Sequence, residues 1–389
     1  MERVIIIHYH EVALKGNNRD FFENTLIENI KKSLVREDYS VVEKRYGSII
    51  AHLNESADEE LARSRIKKVF GVANFAFGFA SKLDLATLKN DIWAHLKENP
   101  IPRTFRVTAK RSNKNFPKNS QEVAVDVGSF LYEKFEGMAK VDLKDPKLNC
   151  FCEIGERNSF FYFKKEKGYA GLPVGTAGKV LSLISSGFDS PIASWKMMRR
   201  GAKVVYLHFH SYPYTTKASV ENVKAIIKKL DEYQFGSKAY FVPFAEIQKE
   251  ISVKVHASQR VILYRRFMLR IAERIAKKEG IKALVTGDSL AQVASQTLDN
   301  IFVISQAVSM PILRPLIGDN KNDIIDIATE IGTYEISSQP YEDCCSLFMP
   351  SSPETHGKLD MVLQEEKKLD IESMINDALN NVEIFKIDD

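Results

Sequence analysis

Serines, a glycine and an aspartate stand close together in the segment LSLISSGFDSP, residues 181–191. A short apolar strand leads into a Ser/Gly turn, and Pro191 suits the first turn of a following helix. Such a turn offers backbone N–H groups, hydroxyls and the positive end of a helix dipole to a bound anion. Gly187 would also let the backbone approach a ligand closely. The segment therefore predicts a phosphate-binding loop, and since no lysine follows the glycine it is not a G-x-x-x-x-G-K-[ST] loop.

The hydroxyl donors predicted for this loop are those of Ser185, Ser186 and Ser190. Asp189 has two interpretations: it could cap the helix, or it could help to hold Mg²⁺ beside phosphates. The loop resembles the S-G-G-x-D-S loop of the ATP pyrophosphatases, which cleave ATP between the α- and β-phosphates and activate a substrate by adenylation. Ser186 replaces their first glycine, which keeps a hydroxyl but restricts φ at that position.

A basic run lies between positions 103 and 118, where no acidic residue occurs, although the net charge of the 389-residue chain is only +4. Its members are Arg103, Arg106, Lys110, Arg111, Lys114 and Lys118. This density favours a polyanionic partner, although a solvated basic face would have the same pattern. Lys15 and Arg19, in a glycine-containing loop, could add to the same surface.

The four cysteines form two close pairs, Cys150/Cys152 and Cys344/Cys345, and neither spacing matches a zinc ribbon. Cys150 and Cys152 lie two apart on a predicted strand, so both should face one side, as small buried apolar residues would. We predict no metal site of the protein's own. We also expect a reduced, cytoplasmic protein with no membrane-spanning segment.

Three parts of the chain differ in their pattern of elements. Residues 1–75 alternate strand and helix signals as in an α+β ferredoxin-like unit. Residues 76–168 hold two helices, the basic strand and loop, and a late hairpin. Residues 174–389 show apolar strands alternating with amphipathic helices, which predicts an α/β fold with a doubly wound, mostly parallel sheet. Because such sheets bind ligands at the carboxyl ends of their strands, this sheet would position the serine-rich loop.

Five segments, in family order, resemble the ThiI family of tRNA 4-thiouridine synthetases, also called tRNA sulfurtransferases. They are EVALKGNNRDFFE (11–23), FRVTAKRSNKNFPKNSQEV (105–123), GKVLSLISSGFDSPIASWKMMRRG (178–201), GDSLAQVASQTLDN (287–300) and PILRPLIGDNKNDIIDIATEIGTYEISSQPYEDCC (311–345). The resemblance implies a ferredoxin-like domain at 1–75, a THUMP RNA-binding domain at 76–168 and a PP-loop, adenine nucleotide alpha hydrolase-like domain at 174–389. The form implied is the one that lacks a C-terminal rhodanese domain.

The resemblance also implies a reaction, the ATP-dependent conversion of uridine 8 of tRNA to 4-thiouridine. O4 of the uridine would attack the α-phosphate of ATP, and persulfide-derived sulfur would then displace AMP at C4. The implied cofactors are ATP and Mg²⁺. The implied partners are tRNA, a cysteine desulfurase as persulfide donor, and a second copy of the chain. Sulfur transfer for the thiazole of thiamine is a further role that the family raises.

The family's nucleotide contacts fall at several strand ends and on one helix. They are Leu183, Ile184, His208, Phe209, Arg265, Gly287 and Gln296, together with the loop residues Ser185, Ser186, Gly187 and Ser190. Sequence alone leaves His208 and Phe209 open as core residues and Arg265 as a surface charge. Because its loop would face the nucleotide, Asp189 is predicted to be required for adenylation. The resemblance assigns sulfur transfer to Cys344, with Cys345 secondary.

Three alternatives stay open at this point. One is another PP-loop adenylating enzyme, for amide formation or 2-thiolation. Another is a tRNA-binding protein with a degenerate nucleotide site, for which Ser186 is the suspicious feature. An RNA methyltransferase is the third, but no glycine-rich methyl-donor loop followed by an N/D-P-P-Y motif occurs.

Overall fold

The computed structural model of the chain describes residues 1–340, 350 and 352–388. The chain divides into two compact units, Met1–Pro173 and Val174–Asp389. In the described ranges, none of the helices combines the length and apolar character that crossing a membrane would require.

The first unit is built on one mixed sheet packed against helices. Its strands are β1 (Glu2–His8), β2 (Tyr39–Arg45), β3 (Ser48–Leu53), β4 (Asn74–Lys82), β5 (Thr104–Arg111), β6 (Lys140–Val141), β7 (Leu148–Ile154), β8 (Asn158–Tyr162) and β9 (Glu166–Lys167). Its helices are α1 (Arg19–Ser33), α2 (Glu59–Lys67), α3 (Leu85–Leu96) and α4 (Ser120–Lys134). The order in the sheet is β2-β3-β1-β4-β8-β7-β5-β6, and β9 also pairs with β4.

Along the strands of this sheet, successive side chains point alternately to the buried face and to the opposite face. Phe105 of β5 is buried against the core beneath α3 and α4. Arg106 and Lys110 are an odd number of positions away and so project from the opposite face. Cys150 and Cys152 of β7 both join the core, with their sulfur atoms 4.0 Å apart and their side chains fully buried. The interpretation of this pair as buried apolar residues on one side of a strand is therefore confirmed.

The two segments predicted to be ferredoxin-like and THUMP domains share this sheet. β4 pairs antiparallel with β1 on one side and with β8 on the other. Backbone hydrogen bonds therefore run without interruption across the division predicted near residue 75, and that division stays a prediction.

The second unit is an α/β layer structure around a six-stranded sheet within the described residues. Its strands are β10 (Lys179–Leu183), β11 (Lys203–His210), β12 (Ser237–Pro243), β13 (Leu284–Val285), β14 (Ile312–Leu313) and β15 (Glu383–Ile387). Its helices are α5 (Asp189–Arg199), α6 (Ala218–Asp231), α7 (Ala245–Lys254), α8 (Arg260–Lys278), α9 (Leu298–Ser305), α10 (Lys321–Ile331), α11 (Tyr334–Ser337), α12 (Leu359–Glu366) and α13 (Ile371–Asn380).

The strand order β14-β13-β10-β11-β12-β15 confirms the predicted fold class. The chain runs outward from β10 through β11 to β12 and then returns to β13 on the other side of β10. All of these neighbours pair in parallel except β12 and β15, which are antiparallel. The carboxyl ends of β10 and β13 therefore form the switch point at which such sheets bind ligands.

Candidate active site

A cavity of about 400 Å³ lies at the switch point of the second sheet. It is lined by Asp189 and by every nucleotide contact expected from the sequence except Ser186. The strand ends supply Leu183 and Phe209, and α8 adds Met268. The cavity thus has an apolar wall beside the polar loop that follows β10, an arrangement common to nucleotide sites.

The serine-rich loop is held by its own hydroxyls. The backbone N–H of Ser185 donates to Oγ of Ser190 over 2.8 Å, and the N–H of Gly187 donates to Oγ of Ser185 over 3.3 Å. α5 begins at Asp189, and no described side chain caps its N-terminus. The N–H groups at the start of α5 are therefore available to an anion. The interpretation of Asp189 as a helix cap is wrong, because its carboxylate makes other contacts.

Asp189 is paired with a lysine that the sequence did not single out. Lys321, the first residue of α10, places Nζ 2.7 Å from one carboxylate oxygen of Asp189. Gln292 donates to the other oxygen over 3.0 Å. The phosphate loop therefore has a cation beside its carboxylate. The two residues are 132 positions apart, and no short motif joins them.

Gly287 packs against the start of α5. A Cβ atom at this position would lie 2.7 Å from the backbone nitrogen of Ser190 and 3.0 Å from the carbonyl carbon of Asp189. Both neighbours are backbone atoms that cannot move aside easily. A glycine is thus required after β13, because only a residue without a side chain lets this segment pack directly against the start of α5.

Asp288 joins two arginines of the cavity wall. One carboxylate oxygen pairs with Arg265, and the other accepts from Nε of Arg314 over 3.2 Å and from the Thr286 hydroxyl over 2.7 Å. Burial alone would raise the pKa of Asp288, but the charges of the two arginines and the hydrogen bond from Thr286 bring it below its ordinary value. The carboxylate is therefore ionised, and it holds both guanidinium groups at the cavity.

Ser186 does not line the cavity. Its side chain is buried, and its hydroxyl forms no hydrogen bond with the described part of the chain. Neither Ser186 nor Gly187 has a positive φ. A serine therefore fits the backbone here without strain, and the expected restriction of φ has no consequence.

Cys344 and Cys345 lie outside the described residues, but the chain on both sides of them contacts the cavity region. The Ser337 hydroxyl donates to the carbonyl of Gly187 over 3.3 Å. On the other side, Pro353 lines the cavity, and Asn300 donates to the carbonyl of Glu354 over 2.7 Å. Both flanks are thus attached to the elements that form the site.

Two of the basic residues predicted to contact RNA share a cleft of about 540 Å³ in the first unit. These are Arg19 and Lys110, and the other basic residues of the cleft are Lys44, Arg45 and Arg157. Acidic side chains also line it, among them Glu23, which accepts from Nε of Arg19 over 2.6 Å. This contact fixes the position of the Arg19 guanidinium group.

The remaining predicted RNA contacts have different local partners. Nη1 of Arg106 donates to the carbonyl of Leu143 over 2.9 Å, and Nη1 of Arg111 donates to the carbonyl of Phe116 over 2.9 Å. The other partners are Asp126 for Lys118 and the ring of Phe22 for Lys15, while Arg103 and Lys114 are exposed. Some side chains of the basic run therefore stabilise the local structure of the first unit, and others are exposed to solvent.

Comparisons with known proteins find a matching family for each part of the chain. A family profile described as "Thiamine biosynthesis protein (ThiI)" matches residues 175–371, one described as "ThiI ferredoxin-like domain" matches 4–76, and one described as "THUMP domain" matches 84–163. A probable tRNA sulfurtransferase of Caldanaerobacter subterraneus is 44% identical, covering 97% of this chain and 98% of the relative. Another, of Alkaliphilus oremlandii, is 41% identical, covering 100% and 99%. The crystal structure of a 4-thiouridine synthetase–RNA complex with bound ATP aligns over 100% of both chains, with a TM-score of 0.90 and 33% identity.

Proposed function

The chain belongs to the ThiI family of tRNA sulfurtransferases, and from this premise we propose that it transfers sulfur to uridine 8 of tRNA in an ATP-dependent reaction that yields 4-thiouridine. The observation that carries the proposal is the cavity at the switch point, where the uncapped start of α5, Asp189 and Lys321 lie beside an apolar wall. This arrangement suits a nucleotide whose phosphates face the loop. It argues against a degenerate nucleotide site.

ATP is the proposed cosubstrate, with its phosphates at the start of α5 and its base on the apolar wall. Lys321 would neutralise charge on the phosphates. Mg²⁺ would accompany ATP, and Asp189 is the cavity carboxylate that could contact it, because Asp288 is buried and its charge is neutralised by Arg265 and Arg314. Asp189 would then exchange its contact with Lys321 or Gln292 for one with the ion.

In the first step, O4 of the uridine attacks the α-phosphate of ATP, and pyrophosphate leaves. The carbonyl oxygen at C4 becomes part of a good leaving group. The cations and N–H groups of the loop stabilise the negative charge that develops on the phosphates. In the second step, the terminal sulfur of a persulfide attacks C4, and AMP departs with the original oxygen.

Cys344 is the proposed carrier of that persulfide, and a cysteine desulfurase is the proposed donor. The attachment of both flanking segments to the site supports this assignment. After attack the nucleotide is joined to Cys344 through an S–S bond, which a second thiol must cleave. Cys150 and Cys152 are fully buried in the first unit, and the Cys152 thiol and burial raise the pKa of Cys150. An external dithiol reductant is therefore the better candidate.

Mass analysis of nucleosides from tRNA incubated with the protein, ATP and a sulfide source tests the proposed function. We expect 4-thiouridine together with tRNA-dependent pyrophosphate release. Asp189→Ala should abolish both while leaving tRNA affinity nearly unchanged. Formation of 2-thiouridine, or no pyrophosphate release with any tRNA, would reject the proposal.

The assignment of Cys344 has its own test. Cys344→Ala should lose thiolation with a persulfide donor, and Cys345→Ala should retain most of it. Activity of Cys344→Ala with free sulfide alone would place Cys344 in sulfur relay. Full activity with the persulfide donor would refute the assignment.

Family membership also supports two broader proposals, a homodimer and a role in supplying sulfur for the thiamine thiazole. Sedimentation at micromolar concentration tests the first. Growth of a deletion strain with and without thiamine tests the second. A monomer, or thiamine-independent growth, would reject the respective proposal.

A further inference from the structure

Two tyrosines project into solvent from the loop that follows β11. Tyr212 is 47% exposed and Tyr214 is 48% exposed. Among the described residues of the second unit, the only other phenylalanine, tyrosine or tryptophan exposed to a comparable degree is Phe302 on α9. A single exposed apolar side chain needs no explanation, but two aromatic rings two positions apart on one short loop form a surface that could bind a partner.

The loop is anchored at its base. Ser211 is fully buried, and its hydroxyl donates to Oε1 of Gln248 on α7 over 2.5 Å. The carbonyl of Ser211 accepts from the backbone N–H groups of Tyr214 and Thr215 over 2.8 and 3.2 Å, and Thr215 is also buried. These contacts hold the backbone of the loop without using the two rings. The fold thus presents both rings to solvent from a backbone that is attached to α7.

The loop lies at the carboxyl edge of the sheet, beside the cavity. β11 ends at His210, and Phe209, one residue earlier, lines the cavity. Tyr212 is three residues beyond Phe209, so the two Cα atoms are at most about 11 Å apart. α7, to which Ser211 is attached, shares a core with α8, and α8 forms one wall of the cavity. Neither tyrosine lines the cavity, so the rings stand next to the site rather than inside it.

The charge of the loop suits a nucleic acid. Residues 211–217 include one lysine and no acidic residue. Nζ of Lys217 lies 4.9 Å from the centre of the Tyr212 ring. Proteins bind unpaired nucleotides with such groups, because a base stacks on the ring while a cation offsets the charge of a phosphate. A protein partner would need a larger buried area than two rings provide.

We propose that Tyr212 and Tyr214 stack against the nucleotides that flank the target uridine and so hold the RNA beside the cavity. The inference rests on the proposed function and adds a contact between the RNA and the second unit. An enzyme that acts on a base within folded RNA takes that base out of its stack, and the neighbouring bases then lose a stacking partner. Aromatic side chains can replace the lost contact. ATP would occupy the cavity itself, which leaves the rings outside it to the RNA.

Steady-state thiolation of tRNA tests the proposal. Tyr212→Ala and Tyr214→Ala should each lower kcat/KM for tRNA about 10-fold, and the double variant should lower it roughly 100-fold. The affinity for ATP, measured without tRNA, should not change, because neither ring lines the cavity. The slope of tRNA affinity against salt should also stay the same, since stacking releases no counterions from phosphates. A double variant with the kcat/KM of the parent would overturn the proposal.

Conservative variants and a matched control separate stacking from a structural role. Tyr212→Phe and Tyr214→Phe keep the ring and remove only the hydroxyl, so they should retain most of the parental kcat/KM. Tyr132→Ala is the matched control, because Tyr132 is 49% exposed on α4 and lines a groove with Phe105, on the face of its sheet opposite to Lys110. It should behave like the parent. Phenylalanine variants as impaired as the alanine variants would rule out stacking.

Hydroxyl-radical footprinting of the parent protein gives an answer that needs no variant to fold. Binding of tRNA should protect the rings of Tyr212 and Tyr214 from oxidation and leave Tyr132 accessible. Rings that stay as reactive with tRNA as without it would overturn the proposal. Thermal unfolding of each variant completes the comparison, since a variant that melts like the parent and still has a lower kcat/KM has lost a contact with the RNA.

The remaining outcomes distinguish this inference from other roles and from the proposed function. Weaker binding of ATP to the alanine variants without tRNA would assign the rings to the nucleotide instead of the RNA. Full activity with free sulfide but a loss with the persulfide donor would assign the loop to the protein that delivers sulfur. Either result would overturn the inference. If the parent protein releases no pyrophosphate with any tRNA, the proposed function itself fails, and the inference fails with it.

Discussion

Ser186 shows how one residue can depart from a motif without loss of the site. Its buried hydroxyl has no partner in the described chain, and leaving such a group unsatisfied costs about 1–3 kcal/mol. We expect Ser186→Ala to unfold at the same or a higher temperature than the parent and to keep its nucleotide affinity. A loss of stability or of affinity in Ser186→Ala would show that the hydroxyl bonds to a ligand or to water.

Glu153 gives the first unit a predictable pH dependence. Burial acts to raise the pKa of its carboxyl, but the hydrogen bond with His8 and the charge of Lys110 prevail and lower the pKa from 4.5 to about 2. A depressed pKa means that the stabilisation is complete above pH 4.5 and is lost as the pH falls towards 2. It amounts to about 3 kcal/mol at neutral pH.

We therefore expect Glu153→Gln to unfold more easily at pH 7 and to lose stability less steeply between pH 4.5 and 2. Urea unfolding over that pH range measures both effects. Glu156→Gln, an exposed neighbour, is the control and should follow the parent curve. If Glu153→Gln also follows the parent curve, the carboxylate is not ionised as described.

At the scale of elements, α12 is joined to α8 by a buried ion pair. Glu366 accepts from Nε of Arg266 over 2.8 Å and from Nη1 of Arg270 over 2.7 Å, and the side chain of Arg266 is 1% exposed. Glu366→Ala would leave a buried guanidinium group without its counter-ion. We expect a loss of about 3–5 kcal/mol in the free energy of unfolding.

Glu372→Ala provides the matched control, because its carboxylate pairs with Arg274 while remaining 73% exposed. Its loss should stay below about 1 kcal/mol. Chemical denaturation of both variants, followed by a signal from the second unit, makes the comparison. Equal losses would mean that burial does not determine the strength of these pairs.

Most of the elements could be predicted because their apolar periodicity is local. The two helices predicted within residues 76–168 are α3 and α4, and β10, β11 and β12 are among the apolar strands predicted for residues 174–389. β15 was missed because its residues alternate exposed and half-buried at the sheet edge, without an apolar run. The contact between Asp189 and Lys321 was missed for another reason: it depends on how α10 packs, which the local sequence does not encode.

On the scale of the whole molecule, we expect RNA to bind the first unit through interactions of its phosphates with the exposed basic residues. Lys110→Ala combined with Lys114→Ala should lower the log–log slope of tRNA affinity against salt by about 0.7–0.9 for each phosphate that is no longer neutralised. Arg111 is left in place because it holds the loop that carries Lys114. Titrations at several salt concentrations give the slope.

Lys229→Ala, an exposed lysine on α6 that pairs with Glu232, is the control and should leave the slope unchanged. An unchanged slope in the double variant as well would mean that these lysines are only solvated. A weaker affinity without a change of slope would indicate that the two lysines bind groups of the RNA other than its phosphates.

The position of β4 between β1 and β8 has a consequence for how the protein could be dissected. The family profiles end and begin at residues 76 and 84, yet the ladder of hydrogen bonds crosses that gap. A fragment that starts after β4 would expose the whole edge of β8, and open edges of this kind promote aggregation. The amide hydrogens of β1, β4 and β8 should accordingly be protected from exchange with the same free energy of opening, as those of a single cooperative unit.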